Sequence, residues 1–209
     1  ACQEVLDQNT RIISLKPKML GDIWDDVQNV ANQLSVNEKG REFHEEKESR
    51  IKVLQTRCRD GIAPKVLTIE WIDPIYIGGM WLPEMIAIVG GQVCIAESGQ
   101  PAPVVNREDL EKIEPDVVVI KPCGYKLEQT LKELELLKKQ LPDWKKSPRI
   151  YLVDGNSYFN RPGPRILDSL EILAYCTYPD LFLDFGECYK KGFIELDSCL
   201  LYTSDAADE

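Results

Sequence analysis

Three short apolar runs constrain this chain more than any other feature: 66–72, 117–120 and 150–153, each strand-like in length and rich in Val and Ile. They alternate with segments of helical period, and strands that alternate with helices build a parallel sheet, because a parallel pair needs a crossover to bring the chain back to the same end. The helix expected over 126–141 would bury Leu127, Leu131, Leu134, Leu137 and Leu141 on one stripe. Its remaining Lys and Glu form a solvated face with no expected role. In open parallel sheets, ligands sit beyond the carboxyl ends of the strands. Those ends read Glu70, Trp71, Ile72, Asp73; then Lys121, Pro122, Cys123, Gly124; then Asp154, Gly155, Asn156.

The third end opens a polar and aromatic loop over 154–165. A helix is expected over 164–176, with Pro164 in its first turn, where the missing amide proton costs nothing. Ile166, Leu167, Leu170, Leu173 and Ala174 recur at helical spacing, so the loop is tied to a buried strand at one end and a buried helix at the other. Its side chains Asn156, Tyr158, Phe159, Asn160, Arg161 and Arg165 combine hydrogen-bonding groups with ring faces, which suits a large ligand carrying amides and apolar surface. The Arg-Pro-Gly-Pro turn is equally compatible with a plain helix start whose arginines point into solvent.

Ahead of the sheet, Ile12, Ile13 and Leu15 read as a short strand, followed by a helix over 20–34 with Leu20, Ile23, Trp24, Val27, Val30, Ala31 and Leu34 near one face. The stretch from Asn37 to about Cys58 is dense in charge, with Glu46/Arg50 and Glu48/Lys52 at i,i+4 spacing. Phe43, Ile51, Leu54 and Cys58 give it only a thin apolar stripe. Such a helix either bridges two lobes or lies on a surface.

These blocks resemble the cobalamin-binding proteins related to the periplasmic vitamin B12 receptors of ABC importers. The resemblance rests on the 154–168 segment, on Glu70 to Pro74 with Gly78 to Glu84, and on Lys121 to Gly124, in that family's order over most of residues 10–182. Where the family more often has histidine before the tryptophan of the second block, this chain has Met80. The resemblance implies an α/β, two-lobed periplasmic-binding-protein-like fold with a long linking helix, here a partial N-lobe and a complete C-lobe with a mostly parallel sheet. It divides the chain into an N-lobe remnant (1–36), the linking helix (37–62) and the C-lobe (63–198). It further implies a monomeric receptor, periplasmic or at the cell surface, that delivers its solute to ABC transporter membrane subunits. A cytoplasmic corrinoid-handling or salvage protein is the alternative. The chain opens at Ala1 without a methionine, so a preceding segment is expected, and 199–209 resembles translated sequencing-adapter read-through rather than native sequence.

The formal net charge is −10. No basic stripe interrupts it, which excludes the multiple phosphate contacts on which nucleic-acid binding depends. Cys2, Cys58, Cys94, Cys123, Cys176 and Cys188, the cysteines outside the tail, form no CxxC pair, so zinc or cluster ligation has no sequence support. No apolar run approaches the roughly twenty residues needed to cross a bilayer as a helix.

A corrinoid is a broad macrocycle fringed by amides, and it calls for flat aromatic contacts and scattered hydrogen-bonding groups. Within the resemblance, Trp71, Asp73, Gly79, Trp81, Glu84, Cys123, Gly124, Asn156, Tyr158, Arg161 and Arg165 are the expected ligand-binding residues. Trp71, inside a strand-like run, is also read as core, which makes the loop residue Trp81 the better contact. Gly78 and Gly79 would let backbone approach the ligand. Asp73 and Glu84 are acceptors for amides or docking points for transporter arginines, while Glu84 also reads as a helix-start acid. No metal ligand and no cofactor is expected beyond cobalamin as the solute, since the lone histidine, His44, sits on the charged helix. Tyr158 keeps haem open as a lesser ligand. Lys121, Arg161 and Arg165 are the cations a ferric siderophore would use. Catalysis by Cys123 lacks a partner base, and a small buried cysteine is the plainer reading. A binding protein rather than an enzyme is expected.

Overall fold

The computed structural model describes residues 10, 12–58 and 62–197. The 199–209 tail and Cys2 lie outside the described residues. Two helices lead the chain: α1 (Leu20–Gln33) and the long charged α2 (Asn37–Arg57). Then come β1 (Lys65–Trp71), β2 (Ile75–Ile77), α3 (Leu82–Ile88), β3 (Gln92–Val93), β4 (Val104–Val105), α4 (Arg107–Glu111) and β5 (Val117–Ile120). The remainder is α5 (Leu127–Lys132), α6 (Leu134–Gln140), β6 (Arg149–Val153), α7 (Ile166–Thr177), α8 (Leu183–Tyr189) and β7 (Phe193–Leu196).

All seven strands form one sheet in the order β4-β2-β1-β5-β6-β7, with β3 beside the start of β1. The long central strands are parallel: Val66 faces Val117, and Val117 faces Arg149. The pairings of β2 with β1 and with β4, and of β7 with β6, are antiparallel. The continuous Val and Ile run of β5 follows from its place, since all four of its residues are fully buried between two helical layers. One layer packs Val66, Val119, Tyr151 and Val153 against α3 and α7, and Leu20, Ile23 and Leu54 of the leading helices join that core. The other layer packs Leu67, Ile69, Val118, Ile120 and Leu152 against Leu110, Leu127 and Leu137.

Helix α2 is bound to α7 by charge as well as by its thin stripe. Arg50 donates to Glu171 (2.7 Å), Asp168 (2.7 Å) and its own-helix partner Glu46 (2.9 Å). Tyr189 closes the network by donating to Glu171 at 2.6 Å. Desolvation works against the Arg50 charge, yet these carboxylates outweigh it and hold its pKa above the ordinary arginine value. Glu48 lies against Lys47 at 2.9 Å.

Three local expectations differ from the structure. Residues 12–15 belong to no strand, since none of the described strands pairs with them; Ile12 and Leu15 are exposed. The 126–141 helix is two helices, broken at Glu133, whose backbone leaves the helical region (φ −96°, ψ 12°). Leu137 and Leu141 are buried past the break, while Leu131 and Leu134 stay half-buried. Pro164 lies in the turn before α7 rather than inside it.

Candidate functional site

The three strand ends do meet at one rim, and backbone hydrogen bonds lock them together. The Lys121 amide donates to the Ile69 carbonyl (2.8 Å), that of Cys123 to Glu70 (2.9 Å), and that of Asn156 to Tyr125 (2.9 Å). Gly155 makes the last crossing possible, because a Cβ there would sit 2.1 Å from the Pro122 carbonyl oxygen. Gly124 turns the β5 loop with φ +78°, a backbone conformation that favours glycine.

Beneath the rim, the Lys121 side chain is fully buried. Its ammonium donates to Asn160 Oδ1 (2.8 Å) and Glu70 Oε2 (3.3 Å), and the Asn160 amide returns hydrogen bonds to the carbonyls of Lys121 and Gly155, each at 3.0 Å. Burial pulls the Lys121 pKa down, and Glu70 opposes that pull. This lysine is therefore an internal tie, not the exposed cation expected for an anionic ligand.

On top of the rim, Trp71, Ile72, Asp73, Pro122, Tyr125, Glu133 and Leu136 line a pocket of about 160 Å³. Trp71 and Tyr125 meet edge to face, 5.4 Å between centroids, and the Trp71 indole N–H donates to the Asp73 carbonyl (3.0 Å). Aromatic faces, two carboxylates and no basic side chain make a surface that accepts N–H donors. Such a volume is below the roughly 300–1,000 Å³ of a drug-sized site.

The remaining expected site residues are placed elsewhere. Trp81 packs against the core beside α3, and its indole N–H donates to the Phe159 carbonyl (2.9 Å). It fastens the 154–165 loop. Gly79 is buried under the protein's own 100–102 backbone, where a Cβ would come within 2.6 Å of the Ala102 nitrogen, so the close approach it permits is internal. Glu84 accepts the Leu20 amide at 2.7 Å; it caps the start of α1. Cys123 is exposed, against the expectation of a buried thiol, and so is Gly124.

Within the loop, Arg161 curls back onto Asn156, donating to its carbonyl and to its Oδ1, both at 2.6 Å. Arg165 is exposed ahead of α7. Phe159 is not a ligand face but a core residue, 1% exposed, held at φ +63°. Tyr158 turns toward α8, edge to face with Tyr189 (6.3 Å), beside a separate cleft that it lines with Asp154, Cys188 and Gly192. Burial raises the pKa of its hydroxyl, and nearby Asp168 and Asp154 add to the shift. His44 is exposed on α2, remote in sequence from every rim residue.

Sequence reasoning missed Tyr125, Glu133 and Leu136. Tyr125 had a usable signal, as an aromatic next to the strand-end glycine. Glu133 and Leu136 had none, since both sit in a leucine-rich helical stretch whose polar residues read as solvated.

No family model matches the sequence, and no curated protein matches it either. Solved structures do match its fold. An ABC transporter substrate-binding protein from Listeria monocytogenes EGD-e superposes with a TM-score of 0.69 at 17% identity, over 80% of this chain and 67% of that one. A periplasmic heme binding protein from Pseudomonas aeruginosa gives 0.64 at 19%, over 81% and 63%. The periplasmic vitamin B12 binding protein BtuF of Vibrio cholerae gives 0.57 at 20%, over 87% and 68%. The chain thus has the α/β fold of substrate-binding proteins and spans about two thirds of the length of each. Among the described residues, no helix is long and apolar enough to cross a membrane.

Proposed function

We propose that the chain is part of an exported solute receptor of an ABC importer, and that its rim takes a neutral, amide-fringed macrocycle of the corrinoid class. One observation carries the choice of ligand. The rim pocket offers Trp71 and Tyr125 as ring faces and Asp73 and Glu133 as acceptors, with no basic side chain in its lining. Amide N–H groups around a corrinoid suit those acceptors. Anionic ferric siderophores and the carboxylates of haem do not, because like charges brought together in a cleft repel. Of the three cations expected to receive an anion, Lys121 is engaged under the rim and Arg161 on Asn156, while Arg165 is exposed ahead of α7 and is not part of the rim pocket's lining. Haem fares less well on a second count: Tyr158, the side chain expected to hold its iron, faces Tyr189 and lines a separate cleft, outside the rim pocket's lining.

Titrating the purified chain with cyanocobalamin, haemin and a ferric catecholate siderophore, followed by tryptophan fluorescence and calorimetry, tests the reading. Cyanocobalamin is expected to bind tightest of the three. Preference for haemin or the siderophore by tenfold or more, about 1.4 kcal/mol, would overturn the assignment.

A further inference from the structure

We propose that Lys121 is the positioning residue of the binding rim: its buried ammonium sets the spacing of the three loops that form the pocket. The solute-receptor reading supplies what the rim is for, while the geometry of the tie stands apart from it. Each group in the tie is one residue from, or bonded directly to, a rim element. Glu70 immediately precedes Trp71, and Lys121 immediately precedes Pro122, both pocket residues. Asn160 belongs to the 154–165 loop and bonds to Lys121 twice, once through the ammonium and once through the carbonyl. A shift of the ammonium therefore moves all three strand ends together.

Stability alone does not explain a charge in this place. Lys121 is fully buried, and burial acts against its charged form more strongly than Glu70 favours it. Buried ion pairs replaced by apolar side chains of similar volume commonly leave a protein equally stable or more so. What an apolar residue cannot supply is direction: an ammonium fixes its partners at hydrogen-bonding distance and angle, whereas a methionine would fill the same volume with no preferred spacing.

The test uses the whole chain with Lys121→Met and Glu70→Gln combined, which removes both charges, and Asn160→Ala as a milder variant. Hydrogen exchange, thermal melting and cyanocobalamin affinity are measured on each. Exchange at 70–73, 122–126 and 154–161 is expected to speed up by about tenfold or more, with α7 unchanged and melting close to wild type. Affinity for cyanocobalamin is expected to fall by about tenfold. Unchanged exchange in the three loops overturns the assignment, as does acceleration spread evenly through α7 and the core, which marks an ordinary stabilising contact. If the double variant fails to fold, Asn160→Ala decides on the same criteria. Loops that loosen in a protein whose wild type takes no cyanocobalamin uphold the role of Lys121 and sink the corrinoid reading instead.

Discussion

Trp71 at the rim and Trp81 against the core should separate cleanly under truncation. Trp81 packs against the core and its indole N–H is bonded to the Phe159 carbonyl, so Trp81→Ala removes buried ring and leaves a carbonyl without its donor. Truncating a fully buried aromatic costs about 3–5 kcal/mol. Trp81 is half-buried, which roughly halves that figure, and the lost hydrogen bond adds about 1 kcal/mol. The total, near 3 kcal/mol, corresponds to a fall of roughly 6–12 °C in Tm for a chain of this size. Trp71→Ala should behave in the opposite way. Its ring meets Tyr125 at the pocket and its N–H bonds only within its own loop, so little packing is lost on truncation. A ligand loses an aromatic face instead, worth about 1–2 kcal/mol or roughly five- to thirtyfold in affinity. Thermal melts and cyanocobalamin titrations on the same samples read both quantities. Trp81→Ala with wild-type melting and lost affinity, or Trp71→Ala with a collapsed Tm and wild-type affinity, would refute the placement of the two rings.

Two further outcomes follow, one from the α2–α7 contact and one from the crossing at the rim. Arg50→Met leaves Glu171 and Asp168 facing each other without their cation, and after discounting for partial exposure the loss should be about 2–3 kcal/mol by urea denaturation. Adding Glu171→Gln should restore part of it, and a loss below about 0.5 kcal/mol for Arg50→Met would show that α2 is not held by this network. Gly155→Ala must push the 154–165 loop off Pro122, so both Tm and cyanocobalamin affinity should drop; an unchanged melting curve would mean the crossing is looser than the 2.1 Å approach implies.

Most of the architecture was legible because it depends on period and length. Val117 to Ile120 read as a strand from its short length, its Val and Ile content and its alternation with helical segments, and the charged run that forms α2 had only a thin apolar stripe. The short edge strands were not legible. Gln92–Val93 and Val104–Val105 contribute two residues each, below any period that could be counted. The break at Glu133 was hidden for a related reason: the leucines of 126–141 fit one helical stripe well enough that nothing in their spacing marks a change of axis.

The site was legible as a place but not as a set of facing side chains. Trp71, inside a strand-like run, was read both as core and as a ligand contact, and it stands half-buried on the pocket wall beside Tyr125. The event that hid most of the rest is Phe159 at φ +63°, which reverses the chain inside a loop that had been read as one polar and aromatic surface. Phe159 goes into the core, Tyr158 is turned toward Tyr189, and Asn160 is brought under the rim within reach of Lys121. A left-handed residue at a bulky aromatic leaves no mark in the sequence, because glycine is the only residue type that announces that conformation in advance. The same reversal is what allows a loop residue to bond the buried ammonium at all, so the feature hardest to read from the sequence is the one that assembles the rim.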